Sequence, residues 1–341
     1  MLLSSEAIND EEWALFKCIP HPTPIMKMAV HPSFKLLYTV NGESVNKIES
    51  IYGEFEFSTV IYSNQITIRC IEAHENCLAI ARGQNIELWE FGTCIRSLEH
   101  PGSVTSMSWR GEKLASSADS ALYLWDPQSG VLLNTFLFDS YVQTVSLSPD
   151  QNLILGHCSR KFRIWSTKTG SLLFENNLEF TGTLSCSALG KTKAFFGSSD
   201  GTCLTIPYAY QEQPLILRGH FNNIRSVQIS KDEHRALSAS WDRSVRVWDL
   251  ETGVPLRVLQ DIHDAYVTSV LFLGRDQSWI ASISSDKTLK IFDLHRSDRE
   301  RILALVHKPM RGFQNLPMEI MIRVKTMLFG CSECIDNELN I

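Results

Sequence analysis

The C-terminal half of the chain consists of short apolar runs that alternate with polar positions and are separated by turn residues. In the clearest segment the runs are Ile224 to Ile229, Arg235 to Ala239, Val245 to Trp248 and Pro255 to Leu259. The turns between them contain Lys231-Asp232, Asp242-Arg243 and Thr252-Gly253. An apolar period of two is typical of antiparallel strands. The pattern therefore predicts four short β-strands joined by tight turns.

The same segment recurs along the chain. RALSASWDRSVRVWDLETG aligns without a gap with WIASISSDKTLKIFDLHRS, which places Trp248 opposite Phe292. Five more units follow the same frame, and the Trp position of the seven units is occupied by Ile48, Trp89, Trp125, Trp165, Ile206, Trp248 and Phe292. Successive positions are 36 to 44 residues apart, which is the period of a repeat architecture.

A four-stranded sheet of this kind cannot bury both of its faces by itself, so neighbouring sheets must stack on it. Radial closure of the stack leaves few strand edges exposed. The sequence therefore predicts an all-β fold, a seven-bladed β-propeller of four-stranded antiparallel blades that spans residues 24–308. An N-terminal segment, 1–23, precedes it. Its stretch Trp13 to Ile19 competes with Arg301 to Val306 for the outer strand of the last blade.

The units resemble WD repeats, in which Gly-His precedes the first strand and Trp-Asp closes the third. Gly219-His220 and Trp248-Asp249 match this pattern in full. The resemblance implies a hydrogen-bonded tetrad that ties the loop before a blade to its second and third strands. Its members are His220, Ser238, Asp242 and Trp248.

Other units retain parts of the tetrad. The corresponding set in unit seven is His263, Ser282, Asp286 and Phe292, so the indole donor is missing. The set in unit three is His100, Asp119 and Trp125, with Ala115 aligned to the serine position. A buried histidine needs partners for both ring nitrogens, and we therefore expect a structural tetrad. A catalytic triad of the same residues is disfavoured, because catalytic groups rarely recur in tandem copies.

The loops at the strand ends are the expected binding surface, since loops carry function while strands carry packing. Tyr141, Asn223 and Tyr266 each stand just before the first strand of a unit, and Trp241 lies in the turn before Asp242. Aromatic side chains supply much of the energy of protein interfaces. These four residues predict a partner-binding face. The alternative is that the rings cap the blade ends against one another.

After residue 308 the apolar positions follow a helical period. Leu316, Ile320, Val324 and Leu328 share one face, Pro317 lies in the first turn, and Gly330 follows the last turn. The segment 309–341 is therefore predicted to contain a short amphipathic C-terminal helix. Its Leu-Pro-x-Glu-Ile stretch resembles the first helix of an F-box, the module that docks ubiquitin-ligase substrate receptors on a Skp-type adaptor. We expect this helix to pack on the propeller, and docking on such an adaptor is the alternative.

Charge and composition exclude several function classes. Lys and Arg number 32 against 38 Asp and Glu, a net charge of −6. No global positive field therefore favours nucleic acid or membrane as a partner. The nine scattered cysteines fit a reducing compartment, cytoplasmic or nuclear. No phosphate loop, dinucleotide fingerprint or His-Glu-x-x-His motif occurs, and Cys331-x-x-Cys334 is half of a structural zinc site. We predict no catalytic residue, metal or cofactor.

These features favour a non-enzymatic protein–protein interaction scaffold. The second hypothesis is a substrate receptor of a cullin-type ubiquitin ligase, in which the propeller holds the substrate and the tail recruits the adaptor. The residues predicted to dock the adaptor are Leu316, Pro317, Ile320, Val324 and Leu328.

Overall fold

The computed structural model describes residues 15–21, 23–30, 36–40, 44–51, 54–62, 67–178, 182–209, 213–274 and 277–294. Within these residues 28 strands form seven four-stranded sheets, and every strand pairing is antiparallel. The predicted seven-bladed propeller is confirmed. In the described part of the chain, no helix is long and apolar enough to cross a membrane.

Each blade is numbered by the position of its first strand in the chain, and its strands are given from the first to the fourth. Blade one contains β2 (Lys27–Val30), β3 (Leu36–Val40), β4 (Ser44–Ile51) and β5 (Glu54–Tyr62). Blade two contains β6 (Ile68–His74), β7 (Cys77–Arg82), β8 (Asn85–Glu90) and β9 (Thr93–Glu99). Blade three contains β10 (Val104–Arg110), β11 (Lys113–Ala118), β12 (Ala121–Trp125) and β13 (Leu132–Leu137).

The remaining blades repeat this arrangement. Blade four contains β14 (Thr144–Leu147), β15 (Leu153–His157), β16 (Lys161–Ser166) and β17 (Leu172–Asn177). Blade five contains β18 (Leu184–Leu189), β19 (Ala194–Ser198), β20 (Cys203–Ile206) and β21 (Leu215–Leu217). Blade six contains β22 (Ile224–Ile229), β23 (Arg235–Ser240), β24 (Val245–Asp249) and β25 (Pro255–Leu259). Blade seven contains β26 (Val267–Leu273), β27 (Trp279–Ser284), β28 (Thr288–Asp293) and β1 (Leu15–Pro20).

The N-terminal strand completes the last blade. β1 pairs antiparallel with β28, with Ile19 opposite Leu289. Ile19 is buried in a cluster with Ile25 of the next loop and Met28 of blade one. Arg301 to Val306, the competing stretch, lies outside the described residues. Among the described strands, β1 is therefore the one that joins the two ends of the ring.

Hydroxyl side chains tie the first strands of neighbouring blades together. Thr105 and Thr268 occupy equivalent positions just after the first residue of β10 and β26, where the register shifts by one residue. The Thr105 hydroxyl donates to the Val142 carbonyl oxygen at 3.3 Å, and the Thr268 hydroxyl donates to the Ile25 carbonyl oxygen at 2.8 Å. The second of these bonds joins blade seven to blade one.

We expect Ile19→Val to lower the free energy of unfolding by about 1 kcal/mol, because the lost methyl group leaves a gap in the cluster between blades seven and one. Urea unfolding of the full chain measures the change. Cys18→Ser, at the exposed neighbouring position on the same strand, is the control and should stay close to wild type. Equal stability of Ile19→Val and wild type would contradict the packing of β1 in the last blade.

Candidate functional site

The four predicted tetrad residues of blade six meet in one buried network. His220 Nδ1 lies 2.7 Å from Asp242 Oδ2, and its Nε2 lies 2.7 Å from Ser238 Oγ. Trp248 Nε1 donates to the same Ser238 Oγ at 2.8 Å. One set of roles satisfies every atom: Nδ1–H donates to the carboxylate, and the serine hydroxyl donates to Nε2. The network joins the loop before the blade to its second and third strands.

The electrostatics of the tetrad fit a neutral histidine beside an ionised carboxylate. Burial lowers the pKa of His220, although Asp242 acts in the opposite direction. Burial alone would raise the pKa of Asp242, but hydrogen bonds from His220 and Ser244 outweigh it and lower this pKa to about 2. The side chains of His220 and Asp242 have no exposed surface. The network therefore presents no side-chain surface of His220 or Asp242 to a substrate, and it links the loop before the blade to its second and third strands.

Blade seven repeats the network without its indole. His263 Nδ1 lies 2.8 Å from Asp286 Oδ2, and Nε2 lies 2.8 Å from Ser282 Oγ. Phe292 fills the Trp position and is buried between the blades. Its ring supplies packing but no donor, as the alignment indicated.

An aromatic patch, composed of Phe221, Arg225, Trp241 and Tyr266, lies on the face of the propeller that carries the loops before the first strands. The rings of Trp241 and Tyr266 stack at 5.1 Å between centroids, with 23° between their planes. The Arg225 guanidinium carbon lies 5.6 Å from the centre of the Trp241 ring. Tyr266 is 50% exposed and Phe221 is 72% exposed. The patch therefore presents a cation and three rings to solvent.

Asn223 positions this patch through its backbone. Its carbonyl oxygen accepts a hydrogen bond from the Trp241 amide at 2.9 Å, and the Tyr266 carbonyl accepts one from Ser285 at 3.0 Å. These bonds fix the turns that carry the rings to the loops of blades six and seven. The Asn223 Oδ1 atom is buried and has no hydrogen-bond partner among the described residues.

Three segments of the chain match the family model for the WD domain, G-beta repeat: residues 92–126, 211–249 and 253–293. Each segment ends at the close of a third strand, in blades three, six and seven. The chain is a WD-repeat β-propeller. Propellers of this family typically serve as protein-interaction scaffolds and are generally not catalytic.

Similar proteins carry the same repeats in longer chains. Apoptotic protease-activating factor 1 of Danio rerio is 26% identical over 232 residues, 65% of this chain and 18% of that protein. Protein tipD of Dictyostelium discoideum is 29% identical over 200 residues, 56% of this chain and 32% of that protein. Human WD repeat-containing protein 90 is 21% identical over 316 residues, 82% of this chain and 18% of that protein. This WD-repeat chain thus spans less than a third of each relative.

In blade three the serine of the WD-repeat network is Ser116, not the aligned Ala115. Ser116 Oγ lies 2.7 Å from His100 Nε2 and accepts from Trp125 Nε1 at 2.9 Å. The β11–β12 turn has two residues, because Ala118 pairs with Ala121, whereas the turn of blade six is longer. An alignment that matches Asp119 with Asp242 therefore places the serine one residue too early in the sequence. His100 Nδ1 faces the Leu98 carbonyl oxygen at 3.4 Å instead of Asp119.

Sequence reasoning missed a fourth histidine network, in blade one. His21 is buried, its Nδ1 lies 3.0 Å from the Thr23 carbonyl oxygen, and Asn46 Nδ2 lies 3.0 Å from its Nε2. His21 stands four residues before Ile25, just as His220 stands four before Ile224. That spacing is the sequence feature from which the network could have been predicted. It is obscured because a backbone carbonyl, not a carboxylate, faces Nδ1, Asn46 faces Nε2, and Ile48 replaces the tryptophan.

The other predicted site residues are not part of the aromatic patch. Tyr141 is 52% exposed at the equivalent position of blade four, but none of the described rings stacks on it. The predicted adaptor-docking residues Leu316, Pro317, Ile320, Val324 and Leu328 lie outside the described residues. Among the described residues, no group of three His, Cys, Asp or Glu side chains could hold a metal ion.

Proposed function

We propose that this WD-repeat propeller is a non-enzymatic scaffold that binds a partner protein through the aromatic patch. The observation that carries the proposal is the stack of Trp241 on Tyr266, because Trp241 is partly buried while Tyr266 remains half-exposed. Phe221 of the same patch is more exposed. Stacking fixes both rings before a partner arrives, so little side-chain entropy is lost on binding. Aromatic and arginine side chains are also the residue types most enriched among interface hot spots.

The scattered cysteines and the negative net charge of the sequence support a cytoplasmic or nuclear protein as part of this proposal. The negative net charge also supports a protein partner rather than nucleic acid or a membrane surface. Within the proposal, the buried tetrads hold the blades in position and the loops bind.

The second candidate function is that of a substrate receptor in a cullin-type ubiquitin ligase. The sequence feature that favours it is the F-box-like helix pattern from Leu316 to Leu328. In this version, the aromatic patch binds the substrate and the tail binds a Skp-type adaptor.

The test is affinity capture from cell extract by the full chain, followed by mass spectrometry. We expect Phe221→Ala combined with Tyr266→Ala to deplete the captured partner at least about tenfold, since hot-spot rings contribute roughly 2 kcal/mol each. Phe91→Ala is the matched control, because Phe91 is 83% exposed in a turn on the opposite face. Equal recovery with all three proteins would reject the patch. Recovery of a Skp-type protein that disappears when residues 309–341 are removed would favour the second candidate.

A further inference from the structure

Three junctions between neighbouring blades are braced at the turns between first and second strands, on the face opposite the aromatic patch. Gln151 Oε1 accepts from the Glu112 amide of the preceding blade at 3.0 Å, and Gln277 Oε1 accepts from the Lys231 amide at 2.8 Å. Glu233 likewise accepts from the amides of Lys191 and Thr192. All three bracing residues have a left-handed backbone, with φ of 61°, 54° and 57° respectively.

This brace is missing between blades two and three. The β10–β11 turn has only two residues, Gly111 and Glu112, because Arg110 pairs with Lys113. It is shorter than the turns that carry the three bracing residues. Among the described residues, no hydrogen bond joins the Asn76 amide to a side chain of blade three. A cleft of about 850 Å³ opens at this junction, between the two turns and the outer strands β9 and β13.

Part of the cleft lining is apolar, and it stands beside polar and charged side chains. Ile95 is 52% exposed on one wall, and Leu133 is 49% exposed on the other. The rings of His74 and Trp109 form part of the lining and stack at 5.3 Å with 11° between their planes. Two exposed aliphatic side chains in the lining of one cleft are typical of a surface that binds apolar groups.

The rim of the cleft carries an excess of negative charge. Glu75, Glu90 and Glu112 line it, and their carboxylates make no ion pair with the described residues. Burial raises the pKa of the Cys77 thiol, and the negative charges of Glu90 and Glu75 raise it further. Both carboxylates therefore lie near Cys77, at one end of the cleft.

The two cations in the lining, Arg96 and Lys113, make their hydrogen bonds to other groups. Lys113 Nζ donates to the Gln151 carbonyl and the Thr167 hydroxyl, both in blade four. Arg96 donates to the Gln128 carbonyl at 3.1 Å. A ligand that buries Ile95 and Leu133 would therefore gain from carrying positive charge to the rim.

We propose that the cleft between blades two and three is a second docking site, which takes an apolar, Lys- or Arg-rich segment of a partner protein. Its apolar side chains pack between Ile95 and Leu133, and its cations face Glu75, Glu90 and Glu112. The site is independent of the aromatic patch, which lies on the other face, and it lies where the short β10–β11 turn makes no brace to blade two.

The experiment uses the full chain and two labelled synthetic peptides of equal length and identical leucine positions, one with lysine and the other with glutamate at the remaining positions. Fluorescence anisotropy measures binding of each. We expect the Leu/Lys peptide to bind at least about tenfold more tightly than the Leu/Glu peptide, with an affinity that falls as salt is raised. Equal binding of the two peptides, or no binding of either, would overturn the proposal.

Matched variants locate the site. Glu112→Lys and Leu133→Ala should each weaken binding of the Leu/Lys peptide about fivefold or more. Glu251→Lys makes the same charge change on blade six, and Leu173→Ala removes the leucine at the Leu133 position of blade four. Both controls, and Phe221→Ala on the opposite face, should remain within about twofold of wild type. An equal loss in a control would show that the peptide binds elsewhere and would overturn the proposal.

Discussion

Trp248→Ala is expected to lower the free energy of unfolding by about 3–5 kcal/mol, the range found for deletion of a large buried aromatic side chain. Trp248 has no exposed surface and lies in one hydrophobic cluster with Phe195 of blade five and Ile224 of its own blade. Truncation leaves a cavity between the blades and removes the donor to Ser238. Urea unfolding of the full chain measures the change.

Two further variants separate packing from hydrogen bonding. Trp248→Phe keeps most of the ring volume and loses only the indole N–H, as in blade seven, so we expect a loss of about 1 kcal/mol. Trp89→Ala removes a half-buried ring whose Nε1 donates to Glu87 rather than to a tetrad, and its cost should be smaller than that of Trp248→Ala. Identical unfolding midpoints for Trp248→Ala and wild type would refute the structural role of the tetrad.

The second large effect expected is a loss of stability in mild acid. Burial lowers the pKa of His100 and His157 to about 4, whereas an imidazole in the unfolded chain has a pKa of about 6.5. Below that value the unfolded state binds more protons than the folded state, so the free energy of unfolding falls as the pH falls towards 4. Each of these two histidines should contribute a loss of about 2 kcal/mol between pH 7.5 and pH 5.

Other buried groups also change how the free energy of unfolding depends on pH. Burial also lowers the pKa of His21, His220 and His263, which adds to the loss. Glu72 acts in the opposite direction, because burial raises its pKa to about 7 and its carboxyl gains a proton in the folded state as the pH falls. A comparison of two proteins that both contain Glu72 cancels its contribution.

His157→Phe provides that comparison. His157 is fully buried, its ring packs edge-on against Phe196 at 6.1 Å, and its Nε2 atom has no described partner. The drop in unfolding free energy between pH 7.5 and pH 5 should be about 2 kcal/mol smaller in the variant than in wild type. The same drop in both proteins would mean that His157 is protonated as readily in the folded state as in the unfolded one.

The strands were predictable from sequence because their signal is local. The four runs inferred for blade six match β22 to β25 to within one residue at each end, since alternating apolar residues and turn residues act over a few positions. The closure of the last blade was not predictable in this way. β1 and Arg301 to Val306 have similar patterns, and only the three-dimensional pairing of Ile19 with Leu289 distinguishes β1.

The prediction of the site was correct where the repeat is regular, and it failed where the turn length varies. His220, Ser238, Asp242 and Trp248 come together because their spacing follows the alignment. Ser116 was missed because a shorter hairpin shifts the frame by one residue. The bracing role of Gln151 could not be predicted from the repeat pattern of the sequence, because its hydrogen bond is made to another blade and depends on a left-handed backbone.

Because β1 pairs with β28, the last blade cannot be completed until most of the chain has been synthesised. Leu15 is among the first described residues to be synthesised and Phe292 among the last, yet they lie opposite each other. At about 5–20 residues per second, β1 waits tens of seconds with both edges unpaired. The middle blades can stack during that interval, because each contacts mainly its neighbours. Completion of the ring is therefore a late and slow event, and a nascent chain that has lost β1 to another strand would retain a last blade of three strands.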